Sequence, residues 1–137
     1  MAVIPVAQPL MLCEEIDEEG GAVNVYGLFN AMRAVSFPYR RELFGVFVQL
    51  RGGLGTITIH YDIVRARDNR TVHFTNPRAL RFDRRTQLVQ SITHLENIVF
   101  EEAGVYLVQL FCDNVWVADV ALELLEVRDG AEQEASS

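Results

Sequence analysis

A chain of 137 residues, half of them hydrophobic and 23% charged, is long enough to bury a core as one domain without metal or disulfide staples. Its formal net charge of -7 argues against nucleic acid as a partner, because phosphate recognition needs a cationic face. All 12 basic residues are arginine, which removes Schiff-base and phosphate-loop lysine chemistry from consideration.

The first 13 residues are apolar but lack a basic leader, are interrupted by Pro5 and Pro9, and are closed by Glu14 and Glu15 too early to span a bilayer. No signal peptide and no membrane span are expected, and the expected compartment is cytoplasmic. Residues 1–9 read as an N-terminal extension, residues 10–127 as a single domain, and residues 128–137 as a disordered acidic tail.

Leu10 to Ile16 reads as a first strand, Asp17 to Gly21 as an acidic turn, and Val23 to Phe29 as the antiparallel partner. Asn30 to Tyr39 lacks periodicity and reads as a connection with at most a short helical turn. Leu43 to Leu50 follows as a strand, with Phe44, Val46, Val48 and Leu50 on one face and Gly45, Phe47 and Gln49 on the other. Beyond the glycine-rich turn 51–55, Ile57, Ile59, Tyr61 and Ile63 alternate with Thr58, His60 and Asp62, the pattern of a half-buried strand. Thr71 to Phe74 is a short strand, Asn76 to Arg85 an arginine-rich crossover loop, and Thr86 to Leu95 a further strand.

Ile98 to Val127 organises the rest as one hairpin behind a corner at Glu101 to Gly104, with Asp113-Asn114 as its two-residue turn. On its first strand Tyr106, Val108, Leu110 and Cys112 share one face, while Val105, Leu107 and Phe111 share the other, which predicts a central strand with its second face covered too. On the second, Trp116, Ala118, Val120, Leu122 and Leu124 are expected inward. Eight short strands joined by turn formers predict an all-β antiparallel sandwich, with a small β-barrel as the alternative.

Leu12-Cys13-Glu14, the stretch Asn24 to Phe29, Phe37-Pro38, Glu102 to Tyr106 and Asp113-Asn114 together resemble a family of small uncharacterised bacterial β-sandwich proteins over residues 10–127. The resemblance implies an immunoglobulin-like sandwich and supplies neither an activity nor functional residues to carry over. The segment Asn76 to Arg85 departs from the family's pattern.

Four sets of side chains carry candidate chemistry. His60 with Asp62 and His94 with Glu96 each lie on one face of a strand and would make a nitrogen and oxygen metal site if the strands were neighbours. Cys13 and Cys112 fall in apolar strand patterns and read as buried thiols in a reducing compartment, with an inter-sheet disulfide as the alternative. Arg78, Arg81, Arg84 and Arg85 surround Phe82; they read as a solvated loop paired with the acidic turns at 14–19 or 101–102, or as a surface for phosphate, an acidic protein or, behind it on net charge, single-stranded nucleic acid stacked on Phe82. Val105, Leu107 and Phe111, with Phe47, make an apolar surplus suited to a partner or a second copy. The sole Trp116 on an expected inward face argues against a carbohydrate site built on exposed aromatics.

The resulting expectation is a non-enzymatic protein-interaction or assembly module, most simply a homodimer, without a cofactor. A metal-dependent enzyme or sensor at the two histidine pairs and anion binding at the arginine loop are the alternatives.

Overall fold

The computed structural model describes residues 2–128. In chain order the strands are β1 (Val6–Ala7), β2 (Met11–Glu19), β3 (Ala22–Leu28), β4 (Ala31–Ala34), β5 (Tyr39–Arg51), β6 (Gly55–Arg65), β7 (Arg70–Phe74), β8 (Arg78–Phe82), β9 (Leu88–Phe100), β10 (Gly104–Cys112) and β11 (Val115–Glu126). They form two sheets. In the first, β9 lines one side of β5, β1 and β2 follow one another along its other side, and β3 pairs with β2. In the second, β10 lies between β6 and β11, β7 and β8 share the far side of β6, and β4 closes the opposite edge parallel to β11. The sheets pack as a sandwich rather than a closed barrel.

Between them lies the core that alternation predicts. Phe44, Val46, Val48 and Leu50 of β5, Ile57, Ile59, Tyr61 and Ile63 of β6, and Tyr106, Val108, Leu110 and Cys112 of β10 are all buried. Strand β10 is central in its sheet, with β6 and β11 on its flanks, but its second face is not buried as the first is: Val105 is exposed and Leu107 and Phe111 are half-buried.

Three strands, β1, β4 and β8, exceed the expected eight. The stretch before residue 10 is stitched to the sandwich by Val3 N–H to Leu54 O at 2.8 Å and Gln8 N–H to Gln49 O at 2.9 Å. Pro9, which has no N–H, sits where the pairing with β5 shifts by one residue between β1 and β2. The connection at 30–39 is not helical: Met32 and Ala34 turn inward and Arg33 outward, a two-residue period only four residues long. Strand β8 lies inside the expected arginine loop, with Leu80 and Phe82 facing in and Arg81 facing out.

Boundaries also move. Gly20 and Gly21 both adopt positive φ, 59° and 83°, the backbone of a two-residue hairpin turn, so Asp17, Glu18 and Glu19 belong to β2 rather than to the turn. Strand β9 continues through Glu96 to Phe100 along β5. The tail expected to be disordered over 128–137 lies, from residue 129 onward, outside the described residues.

Trp116 is the one large correction. It is 54% exposed, on the outer face of the second sheet. Asp113 and Asn114, with φ of 48° and 64°, make a two-residue turn that pairs Cys112 with Val115 and the outward Phe111 with Trp116. A bulge at Val117 then restores Ala118, Val120, Leu122 and Leu124 to the inner side.

At the corner before β10 the Tyr106 hydroxyl donates to Glu102 O at 2.8 Å from within the buried end of the sandwich. Replacing it by phenylalanine keeps the ring packed against Phe100 and removes the bond. Tyr106→Phe should therefore lower stability by about 1 kcal/mol, read from the urea midpoint at unchanged slope.

Candidate functional site

The two histidine pairs end up in different sheets. His60 and Asp62 face outward from β6 in the second sheet, with Nε2 3.8 Å from Oδ1. His94 and Glu96 face outward from β9 in the first sheet, opposite Gly45 and Leu43 of β5. The core separates them, so the four cannot share one ion, and no group of three metal-ligating side chains forms among the described residues. The shared four-residue site, expected if the two strands were neighbours, is corrected on this geometry.

The thiols are both buried and unbridged. Cys13 donates Sγ–H to Gly45 O at 3.5 Å, and burial, aided by the Glu14 charge, pushes its pKa up. Burial raises the Cys112 thiol to about 11, with Asp113 adding to the effect. Neither is an activated nucleophile.

The arginine segment is divided among different tasks. Arg78 reaches from β8 across to the other sheet, its Nη2 donating to Ser91 Oγ at 2.6 Å and Ile92 O at 3.0 Å. Arg81 pairs with Asp83 at 3.0 Å, Arg84 donates to Thr86 Oγ1 at 3.1 Å, and Arg85 donates to Gly52 O at 2.8 Å. Phe82 is 1% exposed and packs inward beside Gly53, so its expected role as a stacking surface is corrected. The expected pairing with the acidic turns is also corrected: Glu14 is taken by Arg41, and Glu102 by Arg65 and Arg67.

Those last residues build a charged corner. Arg65 holds Asp68 with two bonds, Nε to Oδ1 at 3.1 Å and Nη2 to Oδ2 at 2.7 Å, and also donates to Glu102. Arg67 donates to the same Glu102 oxygen at 2.6 Å. The Arg65 hydrogen bonds hold the Asp68 carboxyl at a pKa of about 2, and Arg67, with the Arg65 charge, holds Glu102 below its usual range.

The outer face of the second sheet gathers what remains. Val105, Leu107 and Phe111 project from β10 on the side away from the core; Val105 is 43% exposed, and Leu107 and Phe111 are half-buried. Phe47 does not join them, because it lies on β5 in the other sheet, 8% exposed and opposite Met11 and Ile92. Phe111 instead has His60 stacked on it, with ring centroids 4.9 Å apart and planes at 3°, and Trp116 on its other side. In the next row Phe74, Asp62, Gln109 and Asp119 follow across β7, β6, β10 and β11. Pattern reading passed over Trp116, Phe74, Gln109 and Asp119. Counting register outward from the two-residue turn at 113–114 would have placed Trp116 beside Phe111.

Among the described residues, no helix is long and apolar enough to cross a membrane. A family model described as a family of unknown function (DUF6941) matches residues 8–125. No protein of curated function matches the chain. Among solved structures the chain is similar to the alkylpurine DNA glycosylase of Pseudomonas fluorescens bound to DNA containing an abasic site analogue. The likeness has a TM-score of 0.51 at 11% identity, covers 88% of this chain and only 30% of the glycosylase chain, and shows the fold alone.

Two predictions follow the electrostatics. The Asp68 pKa is depressed on folding, so its contribution is present above about pH 4 and lost as pH falls toward 2. Thermal unfolding of wild-type protein should shift downward through that window, and Asp68→Asn should lower the midpoint at neutral pH and flatten the shift. Both thiols should resist a thiol-reactive dye in native buffer and react in full in denaturant; labelling of the native protein at the rate of an exposed thiol would refute the burial.

Proposed function

Since the chain belongs to this family of unknown function, we propose from its own surface that it is a non-enzymatic interaction module, one that self-associates through the outer face of its second sheet. The observation that carries the reading is Val105 and Leu107 together on central β10, on the side away from the core, the first exposed and the second half-buried. Beside Val105 is a groove of about 360 Å³ lined by Arg65, Ala66, Arg67, Ala103 and Gly104. Arg67 and Glu102 lie paired at this end, so a two-fold contact would set an apolar strip on itself with opposite charges at its rim.

The immunoglobulin-like assignment is supported by the Tyr106 bond at the corner before β10, which matches the tyrosine corner of such sandwiches. Buried thiols and separated histidines support a non-enzymatic role. An anion site at Arg81, Arg84 and Arg85 is disfavoured because Arg81 is paired with Asp83 and Phe82, the stacking surface it would need, is buried. DNA is the ligand of the glycosylase; here the net charge of -7 and the carboxylates on the outer face weigh against it.

Light scattering over a concentration series should give twice the chain mass, and Val105→Asp or Leu107→Asp should return the single mass with thermal stability preserved. A single mass at every concentration for the native chain would overturn the reading.

A further inference from the structure

Far along β10 from Val105, at the Asp113-Asn114 end, the outer face changes character. His60, Phe111 and Trp116 occupy one row across three adjacent strands. With strands about 4.8 Å apart, that row spans ~10 Å. Trp116 spends its one donor locally, Nε1–H to Ala118 O at 3.2 Å, which fixes the indole to its own strand while more than half of the residue meets solvent. The Phe111 ring is likewise set by its parallel stack with His60. Burial accounts for neither aromatic, since the core closes without them.

The next row, two residues along β6 and β10 and, across the bulge, three along β11, lies about 7 Å away and is a run of hydrogen-bonding groups. Asp62, Gln109 and Asp119 lie side by side, with Phe74, 68% exposed, at the end. Thr58 lies on the other side of the aromatic row, on the same face of β6 as His60.

We infer that this end of the face is a carbohydrate-binding site, in which an uncharged sugar lays an apolar ring face on Trp116 and Phe111 and directs its hydroxyls to Asp62, Gln109, Asp119 and His60. The chemistry selects the ligand. Each hydroxyl both donates and accepts, and the polar groups here supply acceptors (Asp62 and Asp119) alongside groups able to do both (Gln109 and His60). An anionic ligand would meet two carboxylates. A cationic one brings donors alone and leaves the Gln109 N–H groups without an acceptor. A ligand with many hydroxyls and no charge offends none of them, and stacking on a rigid aromatic costs little side-chain entropy. The expected inward Trp116, which argued against sugars, is overturned, and the objection falls with it.

The test uses the native full-length chain on arrayed neutral oligosaccharides of glucose, galactose, mannose, xylose and N-acetylglucosamine, with an arginine-rich peptide as a second probe. Hits are titrated by calorimetry in every variant, and in the native chain also by the fluorescence of Trp116, the only tryptophan. At least one sugar should bind, shift that emission, and lose affinity by about tenfold or more in Trp116→Ala and in Asp62→Asn, while both variants unfold at the wild-type temperature. Failure of every arrayed sugar to bind, binding that survives Trp116→Ala, or salt-sensitive capture of the peptide in place of sugar would each overturn the inference. The solution mass is read separately. A monomer that binds sugar removes only the self-association, and a dimer that binds none removes only the sugar site.

Discussion

Three apolar rows, one each on β5, β6 and β10, meet across the sandwich, and everything else is placed by where they must point. Each row carries four side chains that are buried together. Because successive residues on a strand face opposite ways, a slip of one position would expose a whole row at once. At about 1.5 to 3 kcal/mol for each large apolar side chain, that loss is roughly 6 to 12 kcal/mol, as large as the whole stability of an ordinary domain. The register of the sheets is therefore not negotiable, and the outer faces inherit their residues from it. Val105, Leu107 and Phe111 are neighbours outside because Tyr106, Val108 and Leu110 are neighbours inside.

That coupling explains what could be read from the chain. Where a strand is long and one-sided, as at Ile57 to Ile63, its faces followed from the sequence, and so did the central position of β10. Legibility failed where the period was too short or the residue type misled. Met32 and Ala34 give only two inward residues, and the arginines around Leu80 and Phe82 resemble a solvated loop although alternate positions face the core. The candidate site was the least legible part, because it depends on a single extra residue. Val115, Trp116, Val117 and Ala118 are all apolar, so hydropathy does not say where the bulge falls; only the turn at Asp113-Asn114 fixes it.

Arginine, the only basic residue type, serves distinct physical ends. Arg78 bridges the two sheets at the open side of the sandwich, where its guanidinium satisfies the buried Ser91 hydroxyl and a carbonyl of β9. Arg65 is nearly buried and holds two carboxylates from different segments, the loop after β6 and the corner before β10. The planar five-donor fork suits both uses, and an ammonium in either place would reach fewer partners. The segment that drew attention by its charge is thus a mixture of an inter-sheet clip and locally satisfied surface groups.

Strand β3 forms an edge of the first sheet, with Tyr26 and Leu28 exposed along it. Such an edge invites a stranger's strand to join it. Gly27, between those two side chains, has a φ of +67° and no room for a Cβ beside Glu14, so the backbone is bent away from the straight line that an incoming strand would follow. The kink works as a guard against runaway polymerisation by strand addition at this edge.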